Sequence, residues 1–169
     1  MSTSRAVVAV LLFAAGAHGA DPAPTPNTIP FPHPVISEVL FDVPPGETGD
    51  ANKDGKRDAN ADEFVELFNP HARPINLRGY RIVNRLSAGE KDPKKGLVFA
   101  FPACEVSPGG VVVLFNGNDS AVAAPVGNGT GAPPGPNPAF GGAQVFVCKG
   151  GKSRAAGLNN GGDCVALEA

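Results

Sequence analysis

Gly110-Val111-Val112-Val113-Leu114-Phe115-Asn116-Gly117 decides the fold. Three β-branched valines, then Leu and Phe, stand between glycines, which is the pattern of a short buried strand. On the C-terminal side, residues 143–148 and 163–168 have the same character. On the N-terminal side so do residues 35–42, 63–69, 80–84 and 97–101, the second ended by Pro70 and the last by Pro102. If Val65 and Leu67 face a core, Phe64, Glu66 and Phe68 point the other way. The chain of 169 residues holds 22 Gly and 18 Pro, a density that breaks long helices. No segment sustains a 3.6-residue apolar period. The expectation is all-β: an antiparallel sandwich of about seven to eight short strands with almost no helix. Residues 120–142 read as a Gly/Pro-rich loop, mobile or disordered in large part.

The N-terminus carries a different signal. Arg5 precedes an apolar run at 6–15, too short to span a bilayer, which needs about 20 residues. A basic start, a short apolar middle and the small residues Ala17 and Gly19 form a secretory signal peptide over 1–20, cleaved after Gly19 or Ala20. The mature protein is then expected to be secreted, with no membrane span. Residues 21–34 form a proline-rich extended lead-in, and 35–169 form the folded domain. The full chain has a net charge of −2, which disfavours nucleic-acid binding through bulk positive charge.

Residues 49–63 are chemically the richest stretch. Asp50, Asn52 and Asp54 place side-chain oxygens at alternate positions, and Gly55 follows where a tight Ca²⁺ loop turns sharply. The Lys56 carbonyl and Asp58 fall at the next ligand positions. The usual closing Glu is replaced by Ala61, so Asp62 must close the site, with Glu63 beside it. Pro44-Pro45-Gly46 upstream and a strand downstream exclude a helix–loop–helix hand. From 42 to 66 there are eight acids and three bases, so a cation would relieve repulsion. The plainer alternative is a solvated acidic turn in which Asp and Asn only form turns.

Three cysteines in an exported chain suggest one disulfide and one leftover thiol. Cys148 with Cys164 is the first choice, since consecutive strands could oppose them; Cys104 with either partner is the alternative. No Cys-x-x-Cys pair supports zinc. His33 and His71 read as exposed turn residues, and no Gly-x-Ser-x-Gly elbow marks a nucleophile. Residues 73–95 hold seven bases and two acids. They are either a patch for an anionic polymer or merely solvated strand faces.

With these segments placed, the chain resembles a lamin tail domain of the exported bacterial type. The resemblance rests on Ile36-Ser37-Glu38-Val39-Leu40-Phe41 and on the run from Asp62 to Pro70. It continues through Ile75-Asn76-Leu77-Arg78-Gly79-Tyr80, Phe101-Pro102, Ser107-Pro108-Gly109-Gly110 and the run from Gly157 to Asp163. The family implies an immunoglobulin-like β-sandwich, no catalytic residues, and a binding or tethering role. Its members usually run on through a further strand beyond residues 163–168, so a bare sheet edge is expected here. The expected function is a non-catalytic, calcium-stabilised extracellular module whose partner is a protein or an anionic polymer. Two other classes compete with it. A metal-dependent hydrolase or nuclease would need a general base that the loop does not spare. A carbohydrate-binding module would need an aromatic platform, yet there is no Trp and Tyr80 is the one Tyr.

Overall fold

The computed structural model describes residues 32–88 and 95–169. The expected signal peptide and most of the proline-rich lead-in lie outside these residues, as do Lys91 and Lys94. Among the described residues ten strands run in chain order: β1 (Val35–Leu40), β2 (Phe64–Phe68), β3 (Ile75–Asn76), β4 (Arg81–Asn84), β5 (Val98–Ala100), β6 (Glu105–Val106), β7 (Val111–Phe115), β8 (Pro136–Asn137), β9 (Ala143–Val147) and β10 (Val165–Glu168). The seven strands expected from the sequence are the seven longest. One four-residue helix (Arg85–Ala88) and the 3₁₀ turns Glu47–Gly49 and Pro138–Phe140 complete the described elements.

The larger sheet has the order β1-β2-β7-β9-β8; β10-β4-β5 form a second sheet, and β3-β6 a two-stranded ribbon. Val65 and Leu67 of β2 with Val112 and Leu114 of β7 face Ile82 of β4 and Phe99 of β5 across one buried core. Phe99, Phe101 and Phe146 meet edge to face there, with centroids 4.9 to 5.6 Å apart. Such pairs add to area burial because a ring edge meets a ring face of opposite partial charge.

The sandwich is not wholly antiparallel. β7 and β9 run parallel, Val112 opposite Gln144 through Phe115 opposite Val147. Parallel neighbours need a long crossover, and residues 116–142 provide it. The stretch expected to be a mobile loop is therefore tied to the sheet. Gly127 N–H donates to Val145 O and Gly127 O accepts Val147 N–H. Asn137 Nδ2 donates to Ala123 O at 2.7 Å and to Pro125 O at 3.1 Å. The outward side chains of β7 and β9 (Val113, Phe115, Ala143, Val145 and Val147) form a second buried cluster under this crossover. That explains why the Val-Val-Val-Leu-Phe run is apolar on both faces.

Cys148 follows β9 in the larger sheet, and Cys164 precedes β10 in the smaller one. Consecutive in sequence, these strands are not partners, so the expected opposition of the two cysteines does not occur. All three cysteines are free, Cys104 and Cys148 buried and Cys164 exposed.

Candidate functional site

The acidic loop enters from the turn at Glu47–Gly49. Gly49 is required by contact: a Cβ there would lie 2.0 Å from Pro44 O. Arg57 clamps the same corner, its Nη2 donating to Val43 O at 2.6 Å and its Nε to Pro44 O at 3.2 Å. Two positive-φ residues shape the tip, Lys53 at 60° and Gly55 at 88°.

The expected ligands fall into two groups. Asp50, Asn52 and Asp54 wrap one turn. Asp50 Oδ1 and Asn52 Oδ1 both accept Asp54 N–H, at 3.1 and 2.9 Å. Asp50 Oδ2 accepts Gly55 N–H at 3.0 Å, and Asp54 Oδ1 accepts Lys56 N–H at 2.8 Å. Asp58 caps the next turn, accepting Asn60 and Ala61 N–H at 2.8 Å each. Those two donors hold its pKa below the usual carboxylate range. Asp62, the expected closing ligand, has another job. Fully buried, it accepts Asn52 N–H on Oδ1 at 2.9 Å and Asp58 N–H on Oδ2 at 2.6 Å. It braces the two turns from inside. Among the described residues no three His, Cys, Asp or Glu side chains converge as a set able to hold a metal. The donors that do gather at the Gly55 turn are hard oxygens, the chemistry Ca²⁺ takes.

Glu63 was the residue least legible in the sequence. It points into the sandwich end with no exposed surface. Its Oε2 accepts Asn116 Nδ2 at 2.5 Å and the backbone N–H of Leu158 at 2.8 Å, while Oε1 has no partner. Burial pushes its pKa up to about 7; the Leu158 and Asn116 donors oppose the shift, and Asp163 and Asp58 add to it. The Gly157–Asp163 run is anchored there and again through Asp163, which accepts Asn84 Nδ2 and Arg85 N–H.

The outer face of the larger sheet holds an open groove of about 450 Å³, lined by Phe64 and Glu66 of β2, Val111 and Val113 of β7, and Phe140. Lys53 Nζ lies 4.9 Å from the Phe140 ring centroid and donates to Ala139 O, joining the acidic loop to this wall. The signal for the groove was present in the outward-facing apolar residues of β7.

The two histidines and the two buried thiols serve the packing of the fold. His33 and His71 are half-buried rather than exposed: His33 Nδ1 bonds the Tyr80 hydroxyl, and His71 Nε2 bonds His33 O at 3.0 Å. Burial raises the Cys104 thiol to about 11 and the Cys148 thiol to about 12, so neither is a nucleophile. Arg73, Arg78, Arg81 and Arg85 are exposed, and Arg81 pairs with Glu168 of β10 at 2.5 Å.

The sequence model of the Lamin Tail Domain matches residues 29–169, which spans both sheets, the acidic loop and the Gly157–Asp163 anchor. The chain belongs to the lamin tail domain family. Lamin tail domains are immunoglobulin-like and generally non-catalytic, in agreement with the two-sheet core described above. No curated protein matches the chain. Among the described residues no helix is long and apolar enough to cross a membrane.

Proposed function

We propose that this lamin tail domain is a non-catalytic extracellular binding or tethering module stabilised by Ca²⁺ at residues 50–62. One observation carries the calcium reading: the side-chain oxygens of Asp50, Asn52 and Asp54 gather on one turn closed at Gly55. Those three residues, the Lys56 carbonyl and Asp58 would hold the ion, while Asp62 fixes the loop behind them. Bound Ca²⁺ supplies positive charge where the chain concentrates carboxylates, and so stiffens the loop and the strand that leaves it.

Export is supported by Arg5 and the apolar run that follows it. The partner is an extracellular protein or an anionic polymer; exposed Arg73, Arg78 and Arg85 are cations that such a polymer would meet. A nuclease or hydrolase reading finds little support, because lamin tail domains are generally non-catalytic and the loop carboxylates that hold the ion would not be free to act as a general base. Calorimetry on the mature chain tests the proposal. Calcium should bind with an affinity in the roughly micromolar to millimolar range, and Asp54→Ala should abolish the heat. No heat at millimolar calcium, or turnover in a hydrolase and nuclease screen, overturns it.

A further inference from the structure

The groove on the outer face has an acidic edge that the fold does not explain. Glu66, which lines it, stands directly opposite Glu38 of β1. Like charges opposed across an antiparallel pair destabilise it. Neither carboxylate forms an ion pair among the described residues; Ser37 Oγ, from a bulge in β1, donates to Glu66 Oε1 at 2.7 Å. The adjacent pair on the same face, Leu40 opposite Phe64, is apolar. Glu66 therefore borders an open groove floored by Val111 and Val113, with Glu38 next to it across the strand pair and no cation on either acid.

We infer that the groove binds an extended apolar peptide segment of a partner protein carrying one lysine or arginine. Its aliphatic side chains cover Val111, Val113 and Phe140, and its basic group sits between Glu38 and Glu66. Charge complementarity selects the base, and the apolar floor selects the rest of the segment. Gly109, Gly110, Gly141 and Gly142 line the groove without side chains, so a partner backbone can approach closely. The same acids repel the anionic headgroups of a membrane surface. This inference rests on the reading of the chain as a binding module, and it does not depend on calcium.

The test is a nitrogen-15 NMR titration of the mature chain with two blocked pentapeptides, Leu-Val-Leu-Val-Lys and Leu-Val-Leu-Val-Glu. The lysine peptide should shift the amides of Val111, Val113 and Ala143, and the glutamate peptide should bind roughly fivefold more weakly. In the double variant E38Q/E66Q the two peptides should bind within about twofold of each other, while thermal stability is equal or higher because the like-charge contact is gone. Equal affinities in the native chain, or no binding of either peptide, overturn the inference. Binding of phosphatidylcholine vesicles through these amides, with neither peptide binding, overturns it in favour of a membrane surface. Shifts confined to another face overturn the groove but leave the binding-module reading intact.

Discussion

The buried carboxylate of Glu63 accepts the backbone N–H of Leu158 at 2.8 Å, across 95 residues of chain. This bond ties the exit of the acidic loop to the segment that leads into β10. It is held in a place that disfavours its own charge, since Glu63 has no exposed surface and its Oε1 has no partner.

That arrangement makes stability depend on pH. Burial raises the folded pKa of Glu63 to about 7, above the ordinary glutamate value of 4.5, so between those values the folded state holds the proton more tightly than the unfolded state. Stability should therefore fall as pH rises through this window, by about 3 kcal/mol at most, and level off above it. Urea unfolding in the presence of chelator, from pH 4 to 8, measures the slope. Glu63→Gln should flatten it while retaining an acceptor for Leu158. A slope unchanged in that variant would refute the assignment.

Asp62 should matter as a brace whether or not metal is bound. Asp62→Ala leaves the N–H groups of Asn52 and Asp58 without their acceptor and should cost about 3 kcal/mol. Asp62→Asn keeps one acceptor oxygen and should cost roughly half as much. Equal urea midpoints for the native chain and Asp62→Ala would show that the brace contributes nothing.

The three ring contacts of Phe99, Phe101 and Phe146 place an aromatic cluster in the buried core between the two sheets. Phe146→Ala should lower unfolding free energy by about 3–5 kcal/mol, through lost burial and the cavity left behind. Phe140→Ala, on the half-buried outer wall, should cost less than half of that. Similar losses from the two substitutions would mean that the crossover, and not the inter-sheet core, carries the stability.

The thiols offer a check on the placement of β9 and β10. Iodoacetamide should label Cys164 in the folded chain and reach Cys104 and Cys148 only on unfolding, because those two are buried and their thiols resist ionisation. A mass two units low, with Cys148 and Cys164 in one cross-linked peptide, would contradict the assignment of the two strands to different sheets.

Much of the fold was legible because the strands of this chain are short, β-branched and cut off by Gly and Pro. The alternation of Val65 and Leu67 with Phe64 and Glu66 gave the facing of β2 correctly, and the family resemblance carried by residues 35–169 agreed with it. Pairing was less legible. Sequence neighbours need not be sheet neighbours, so neither the separation of Cys148 from Cys164 nor the parallel β7–β9 pair can be read from strand order in the chain. The Gly/Pro-rich stretch looked mobile because its composition disfavours regular structure; its backbone bonds to β9 depend on tertiary placement. In the acidic loop the turn at Asp50, Asn52, Asp54 and Gly55 was readable from spacing. The distinct tasks of Asp62 and Glu63 were not, since adjacent carboxylates look alike until strand facing sends one under the loop and the other into the sandwich.

The central claim is that a divalent ion on the Asp50–Asn52–Asp54 turn stabilises this domain. Thermal unfolding of residues 21–169 in saturating calcium and in chelator tests it most directly, with Asp54→Ala as the control. At 100 times the dissociation constant, calcium should add about 2.7 kcal/mol, and so raise the midpoint of the native chain by several degrees and leave the variant unmoved. Identical midpoints for the native chain in calcium and in chelator would contradict the account.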